Sequence, residues 1–553
     1  MKSLLLIRTS LLGGIIKMEF NYHDYPYNSQ RMTVFAKNGM VATSQSLAAQ
    51  VGIDILKKGG NAVDAAVATA AVLTVVEPTS NGIGSDAFAL VWIKDKLYGL
   101  NSSGPAPKNI SIEKIKSLGF DQMPEHGFIP VTVPGAPAAW AELSAKFGKL
   151  SFKETLEPAV NYAREGYPVS PVTAKAWNKS YQQYQGKLTA EEFKEWFKVF
   201  APAGRAPRAG EIWKSDAHAS TLAEIAETKA ESFYKGELAD KIDDFSAKYN
   251  GFLTKEDLAN FKPEWVEPIS VNYRGFDVWE IPPNGQGLIT LMTLNILKEF
   301  DFKNEVSADI YHKVFEAIKL AFTDGKKYIT DIDKMKVKIE DLLSKEYAKK
   351  RKEKIGEKAL QPVPGKPPQG GTVYLAAADS EGNYVSFIQS NYMGFGSGLV
   401  VPDTGIALQN RGNNFSLNPE AHNALAPKKK TYHTIIPGFL TKDNMPVGPF
   451  GVMGGFMQPQ GHIQVIMNTI DFKLNPQAAL DAPRWQWTEG KKFKVEHDFS
   501  KRTAELLAAR GHEMEVELES SSFGKGQIIW RDQKEDVLIG ATESRADGAV
   551  LGY

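Results

Sequence analysis

The feature that most constrains this fold is an abrupt change in the character of the sequence near residue 361. The stretch QPVPGKPPQGG at 361–371 contains four prolines and three glycines. These residues cannot continue a helix, so they predict an exposed and mobile linker. Residues 105–350 are predicted to be mostly helical, whereas the chain after 371 has the alternation and turn residues of short strands. The sequence therefore predicts a boundary between a segment 1–371 and a segment 372–553.

A β-hairpin is predicted directly after this boundary. TVYLAAAD at 372–379 and YVSFIQS at 384–390 have strand character, and SEGN between them has turn character. A hairpin symmetric about Glu381 places Thr372 opposite Ser390. Directly opposed Cβ atoms lie about 4.5–5.5 Å apart, so the two hydroxyl groups could form a hydrogen bond.

Thr372 also lies at a position where cleavage of the chain would make it an N-terminal residue. It follows the flexible Gly370-Gly371 pair. An N-terminal α-amine has a pKa of about 7.7–8.0 and can accept a proton near neutral pH, whereas an internal threonine has no built-in base. A cut after Gly371 would therefore give one residue both a nucleophile and a base. Taken alone, Gly-Gly-Thr also fits a threonine that begins an ordinary strand.

Composition and motifs exclude several classes of partner and catalyst. Lys plus Arg and Asp plus Glu both number 65, so net charge gives no reason to expect nucleic acid or an acidic membrane as a partner. The absence of cysteine removes thiol nucleophiles, disulfides, thiolate zinc sites and iron–sulfur clusters. The nine histidines lack a metal-ligand spacing, and no phosphate-binding loop is present. We expect a small-molecule substrate and neither metal nor cofactor.

The first part of the chain predicts a buried helical layer beside strands. Residues 44–76 have the pattern of two helices broken at Gly59-Gly60, and Asn61 is a candidate cap for the nearly apolar second helix. A glycine-rich turn, NGIGSD at 81–86, precedes a strand.

Residues 1–20 only partly resemble a signal peptide, and no run of 18 apolar residues is present. We expect a cytoplasmic protein that does not associate with a membrane.

Several blocks of this sequence together resemble the γ-glutamyltranspeptidase family of N-terminal nucleophile hydrolases, from about Val41 to Tyr553. The blocks are GGNAVDAAVATA at 59–70, the turn at 81–86, PPNGQG at 282–287, GTVYLAAADSEGNYVS at 371–386, GFGSG at 394–398 and MGGFMQPQGH at 453–462. The resemblance implies an α/β fold, a four-layer αββα sandwich formed by two subunits cut from one precursor.

The resemblance also implies how the enzyme is made and how it works. The precursor would cut itself between Gly371 and Thr372, giving a large subunit of 371 residues and a small catalytic subunit of 182 residues that stay associated. By proportion their masses are about 41 and 20 kDa. Thr372 would then be acylated by a substrate amide and would pass the acyl group to water or to an amine.

Other site residues follow from the resemblance, position by position. In the family a glycine pair matching Gly454-Gly455 provides backbone N–H groups for the oxyanion of the acyl-transfer step, although the pair also fits a packing turn. Ser390 matches a position where the family keeps a threonine that assists the nucleophile. This agrees with the hairpin register, which is an independent observation.

The residues expected to bind the acyl donor depart from the family pattern. The family holds the α-carboxylate of a γ-glutamyl group with an arginine and its α-amine with an acidic residue. This chain has Ser103 at the arginine position, Asn414 at the acidic position, and Arg411 at the position of an acidic or amide residue. A paired-hydroxyl motif likewise reads His433-Thr434 here, and Tyr392 replaces an asparagine next to the nucleophile strand.

These changes have one electrostatic interpretation. The pocket loses a carboxylate suited to an ammonium group and gains a guanidinium suited to a carboxylate. Arg411 also fits a structural ion pair, and His433 also fits a structural hydrogen bond. Three functions follow as hypotheses: a γ-glutamyltransferase or glutathione hydrolase; an acylase or amidohydrolase for a carboxylate-bearing amide, such as a glutaryl amide or oxamate; and an uncut small-molecule binding scaffold.

Overall fold

The computed structural model describes residues 31–302, 306–362 and 371–553. The signal-like stretch 1–20 and most of the predicted linker at 361–371 lie outside the described residues. Within the described residues, no helix is both long enough and apolar enough to cross a bilayer.

The described helices run through the whole chain. They are α1 Ser46–Lys57, α2 Ala62–Val76, α3 Ile112–Ser117, α4 Ala136–Phe147, α5 Phe152–Glu165, α6 Pro171–Lys187, α7 Lys194–Phe200, α8 Asp216–Thr228, α9 Glu231–Lys235, α10 Glu237–Lys248, α11 Lys255–Asn260, α12 Gly287–Leu297, α13 Ala308–Tyr328, α14 Ile339–Leu342, α15 Lys345–Lys352, α16 Met457–Ile466, α17 Pro476–Asp481 and α18 Lys501–Ala509.

The described strands are concentrated near the start of the chain and after residue 263. They are β1 Val34–Ala36, β2 Gly39–Thr43, β3 Asp86–Ile93, β4 Lys96–Ser102, β5 Tyr167–Pro168, β6 Ile212–Trp213, β7 Glu264–Val266, β8 Ile269–Tyr273, β9 Phe276–Glu280, β10 Gly371–Asp379, β11 Tyr384–Tyr392, β12 Gly438–Lys442, β13 Met445–Met453, β14 Trp485–Glu489, β15 Lys492–Glu496, β16 Glu513–Glu517, β17 Lys525–Asp532, β18 Val537–Thr542 and β19 Ala549–Gly552.

Two seven-stranded sheets form the centre of the described fold. One has the order β19-β2-β10-β11-β3-β4-β7, and the other β1-β18-β17-β13-β12-β9-β8. Strands β10 and β11 contact β13 of the second sheet on one face and α2 on the other, while α12 and α16 cover the outer side of the second sheet. This arrangement is the four-layer αββα sandwich that the family resemblance implies.

The helix α2 is held in place by its cap and by burial. The Asn61 side chain accepts from the N–H groups of Val63 and Asp64, and the Asp64 carboxylate accepts from the N–H of Asn61. This capping box satisfies N–H groups that would otherwise be left unpaired at the helix start. Every residue of α2 is buried, so the predicted break and the predicted buried helix are both confirmed.

The β10–β11 hairpin has the predicted register over most of its length. Val373 pairs with Gln389, and the ladder continues in step to the turn at Glu381. A bulge between Gly371 and Val373 shifts the pairing by one residue, so that Gly371 pairs with Tyr392. Thr372 lies in this bulge, where the strand bends and can direct a side chain away from the regular ladder.

The prediction that residues 105–350 are mostly helical is incomplete. Strands β8 and β9 lie within this range and join the second sheet as a hairpin, while β7 joins the first. The turn between β8 and β9 uses Arg274 and Gly275, both at positive φ. Short strands like these have too few residues for a clear alternation, and their pairing with distant strands decides their structure.

Candidate active site

The hydroxyl groups of Thr372 and Ser390 meet at one end of the central hairpin. Thr372 Oγ1 donates to Ser390 Oγ at 3.1 Å. Both residues are buried. Thr372 is the second residue of β10. The structure therefore brings the two hydroxyls together, although the bulge removes Thr372 from a regular pair with Ser390.

Arg411 lies on the far side of Ser390, at the start of the 3-10 turn Arg411–Asn414. Its guanidinium donates from Nη1 to Thr434 Oγ1 at 2.6 Å and from Nη2 to Ser390 Oγ at 3.2 Å. Its Nε makes no hydrogen bond to the described residues. Burial lowers the pKa of Arg411 to about 10, which still leaves it charged near neutral pH. The buried Arg411 cation is thus linked to Thr372 through the hydroxyl group of Ser390.

Tyr392 and Asn414 complete the surroundings of this guanidinium. The Tyr392 ring lies 4.4 Å from Arg411 Cζ, a cation–π distance. Its hydroxyl donates to Asn414 Oδ1 at 2.8 Å, which leaves Asn414 Nδ2 without a hydrogen bond to the described residues. Two buried N–H donors, Arg411 Nε and Asn414 Nδ2, therefore remain unused. Buried donors are normally satisfied, so this pair suits an anionic ligand.

A buried acid that the sequence analysis did not propose lies on the same face of the sheet. Asp86, the first residue of β3, pairs in register with Ser390, and opposed residues of paired strands project to the same face. Asp86 Oδ2 accepts from His433 Nε2 at 3.0 Å. His433 Nδ1 accepts from the Ile435 N–H, so the hydrogen of this neutral imidazole is assigned to Nε2. His433 is thus bound to Asp86 rather than to Thr372.

Electrostatics explain the protonation states of this pair. Burial raises the pKa of Asp86 to about 7, against the opposing effect of the Arg411 charge. Burial also lowers the pKa of His433 well below its ordinary value, and the charges of Arg411 and Lys430 lower it further. His433 is therefore neutral, and Asp86 is close to half protonated at neutral pH.

Two glutamine side chains lie between Gly455 and the residues of the site. Gln286 Nε2 donates to the carbonyls of Gly455 and Thr434, at 2.9 and 2.6 Å. Gln458 Nε2 lies 3.5 Å from Thr372 Oγ1. Gly454 and Gly455 have φ values of 131° and 60°, which a residue with a Cβ adopts only with strain. Both glutamines lie in blocks that carry the family resemblance, PPNGQG and MGGFMQPQGH, and the sequence alone assigns neither of them a role.

A second buried cluster, outside this site, has side chains that could hold a metal ion. His312, Glu316 and His512 bring their ligand atoms within 4.8 Å of one another. His312 and Glu316 are one helical turn apart on α13, but His512 is 200 residues away from His312, so no sequence spacing reveals the group. Lys319 Nζ lies 2.6 Å from Glu316 Oε1, and a cation would have to displace this ammonium group.

The contact between Ser390 and the threonine leads to a first prediction. Replacing Ser390 by alanine removes a hydrogen bond to the hydroxyl of Thr372, the predicted nucleophile, and one of the Arg411 contacts. We expect kcat to fall about 10- to 100-fold, which corresponds to about 1.4–2.7 kcal/mol of lost transition-state stabilisation. Steady-state kinetics measure this effect on protein cleaved after Gly371, as the family resemblance implies.

A matched control lies in the same strand. The buried Ser386 hydroxyl bonds to the Tyr374 hydroxyl at 2.8 Å, so Ser386→Ala removes an equally buried hydroxyl elsewhere on the same face. Its kcat should stay within about twofold of wild type, because a positioning effect depends on contact with the nucleophile. Equal losses in both variants would show that Ser390 acts only through stability.

Comparisons with known proteins agree along nearly the whole chain. The family model described as gamma-glutamyltranspeptidase matches residues 48–553. The crystal structure of cephalosporin acylase from Bacillus halodurans superposes with a TM-score of 0.95 at 62% identity, covering 97% of this chain and 99% of that chain. These matches extend across both sides of the predicted boundary at residue 371.

Two further relatives are also similar over nearly their full length. The glutathione hydrolase-like YwrD proenzyme of Bacillus subtilis is 37% identical over 534 residues, 94% of this chain and 99% of that protein. The oxamate amidohydrolase proenzyme of Klebsiella pneumoniae is 32% identical over 529 residues, 93% of this chain and 98% of that protein. Both names describe precursors.

Proposed function

Because the chain belongs to the gamma-glutamyltranspeptidase family, we propose that it is made as a precursor, is cut between Gly371 and Thr372, and then transfers acyl groups through Thr372. The protein is an amidohydrolase or acyltransferase of the N-terminal nucleophile type. The observation that carries the assignment of the nucleophile is the buried hydroxyl pair of Thr372 and Ser390 in the bulge of the central hairpin.

The cut uses the same oxygen as turnover. The Thr372 hydroxyl attacks the carbonyl carbon of Gly371, the peptide C–N bond breaks, and the departing nitrogen takes up the proton, which leaves an ester. Water then hydrolyses this ester, giving a carboxyl group on Gly371 and a free α-amine on Thr372. The strands β10 and β11 after the cut pair with β2 and β3 before it, so the two subunits would remain one folded unit.

Each turnover repeats this chemistry on a bound amide. The Thr372 α-amine accepts the hydroxyl proton, the oxygen attacks the amide carbon, and the proton passes to the departing amine. Water or an acceptor amine then releases the acyl group from the ester. The N–H groups of Gly454 and Gly455 are proposed to stabilise the oxyanion formed in both steps, where one donor commonly contributes about 2.7–4 kcal/mol.

The acyl donor that best fits the site is an amide that carries a carboxylate on its acyl side and lacks an α-amine. The supporting observation is the buried Arg411 guanidinium, which touches Ser390 and retains an unused Nε donor. A guanidinium binds a carboxylate through charge-assisted hydrogen bonds. A glutaryl amide or oxamate has this chemistry, with Tyr392, Asn414 and Thr434 lining the guanidinium.

A second candidate donor is a γ-glutamyl amide such as glutathione. The observation that favours it is the buried carboxylate of Asp86, since an α-ammonium group could pair with it while the α-carboxylate meets Arg411. The two candidates differ by one ammonium group, so a direct comparison of substrates separates them.

Hydrolysis rates of three amides test the proposed donor. We expect the ratio kcat/KM for glutaryl-p-nitroanilide, or for oxamate, to exceed that for γ-glutamyl-p-nitroanilide by about tenfold or more, because an unpaired ammonium group is costly to bury. A higher kcat/KM for γ-glutamyl-p-nitroanilide, with activity abolished by Thr372→Ala, would overturn the donor assignment. It would still support an enzyme that uses Thr372. A chain that stays uncut and inactive would instead favour a binding scaffold.

A further inference from the structure

Asp86 is a buried acid that pairs in register with Ser390, whose hydroxyl accepts from Arg411 Nη2, and the acyl-transfer steps leave it without a role. It is 0% exposed, as are Arg411 and His433. Its Oδ1 makes no well-formed hydrogen bond to the described residues, although the backbone N–H of Gly104 is near enough to lower its pKa. An acid this deeply buried needs a compensating charge.

Several charged or titratable groups of the described residues act on Asp86 or contact it. Arg411 and the more distant Lys430 are the cations that act on it. Tyr234 from α9 also faces Asp86, but its hydroxyl donates to the Pro134 carbonyl and its pKa is raised well above the ordinary value by burial. Tyr234 therefore stays neutral. His433 is neutral for the reasons given above. Arg411 is thus the buried group that balances the Asp86 charge.

A bound substrate carboxylate would add an uncompensated negative charge to this pair. With the site empty and Asp86 ionised, one buried anion is balanced by one buried cation. A donor carboxylate that binds the Arg411 guanidinium adds a second anion to a buried site, and two like charges at such a site rarely stay ionised together. A proton taken up by Asp86 restores neutrality.

We propose that Asp86 determines the charge of the acyl group that this site accepts: it is the counter-ion of Arg411 in the empty enzyme and takes up one proton from solvent when a donor carboxylate binds. This inference rests on the proposed function. His433 is not the proton acceptor, because its Nδ1 already accepts from Ile435 N–H and its Nε2 holds Asp86. The proton returns to solvent when the product leaves, so each cycle is balanced.

The consequence is that carboxylate binding weakens as pH rises. The free site is close to half protonated at about pH 7, so below this value the proton is already present and affinity is constant. Above it each bound carboxylate must draw one proton from solvent, and linkage then weakens binding up to about tenfold per pH unit. An acyl group without a carboxylate would show no such dependence.

The experiment measures competitive inhibition of the mature two-subunit enzyme between pH 6 and 8.5. The probes are pyruvate and 5-oxohexanoate, the methyl-ketone analogues of oxamate and of a glutaryl amide, and their methyl esters are the uncharged controls. For the tighter acid we expect the Ki of the wild-type enzyme to rise about tenfold from pH 7 to 8.5. The ester Ki should change less than about twofold.

Asp86→Asn is the matched variant, because an asparagine oxygen can still accept from His433 Nε2 but cannot titrate. Its Ki for the acid should be flat over the same range and close to the wild-type value at pH 6. The Thr372 α-amine titrates in both proteins, so its effect is common to them. Two subunit bands and an unchanged melting temperature establish that the variant is folded and cut.

The possible outcomes separate this inference from the proposed function. The role of Asp86 is overturned if the wild-type Ki for the acid does not change with pH, or if the Ki of Asp86→Asn rises with pH as in wild type. Either result leaves the proposed carboxylate-binding role of Arg411 unaffected. If neither acid inhibits an enzyme that is cut and active, the donor assignment and this inference both fail. Should the variant not fold, the wild-type difference between acid and ester profiles still decides the question.

Discussion

Replacing Thr372 by alanine is expected to leave one uncut chain of 60.9 kDa with no measurable turnover. The substitution removes the oxygen that attacks Gly371 and the same oxygen that would carry the acyl group. Loss of a nucleophile commonly costs about 10⁴-fold or more in kcat, and here the amine that acts as base is never released. Denaturing electrophoresis and an amidase assay on the same preparation measure both effects.

Thr372→Ser is the control for this prediction. A serine keeps a hydroxyl and would keep an N-terminal amine, so cutting and some turnover should persist, whereas Thr372→Ala should show neither. Bands of about 41 and 20 kDa, by proportion of the chain mass, are expected for wild type and for the serine variant. An alanine variant that is cut or turns over substrate would remove Thr372 from its role.

Replacing Arg411 by glutamine is expected to cause the second largest loss. The variant removes the buried cation beside Ser390, so a donor carboxylate would be buried without a charged partner. Truncation of one member of a buried charged pair costs about 2–5 kcal/mol, which predicts a fall in kcat/KM of about 30-fold or more for carboxylate-bearing amides. For the methyl esters of the same donors, kcat/KM should change by less than about threefold.

Arg411→Lys gives a graded control. A lysine keeps the charge but loses the planar fork that bonds to Ser390 and Thr434 together, so an intermediate loss is expected. If Arg411→Gln lowers kcat/KM equally for the acids and for their esters, then Arg411 supports the structure around Ser390 and does not recognise the donor. The yield of the two subunits reports on folding in each variant.

Local sequence signals were sufficient for much of the framework. The register of β10 and β11 follows from a turn centred at Glu381, and the start of α2 follows from Asn61 and the glycine pair before it. Both features depend on residues close together in the chain. Strands β8 and β9 were not predicted, because each is five residues long and depends on pairing with distant partners.

The candidate site was only partly predictable for a related reason. The motif comparison identifies Arg411 and Asn414 as departures, but their contacts depend on how separate loops meet. Asp86 is the last residue of the predicted glycine-rich turn and the first residue of β3, and its partner His433 is 347 residues away. Only the fold shows that this acid is buried near Arg411. The sequence predicts a pocket that gains a positive charge, whereas the structure adds a buried acid to it.

The central claim is that a peptide bond breaks and frees the amine of Thr372. N-terminal sequencing of the small subunit from purified, active enzyme tests it most directly, together with the intact mass of each subunit. The account predicts one sequence that begins Thr-Val-Tyr-Leu. An active preparation that contains only the uncut chain, or a small subunit that begins at any other residue, would contradict it.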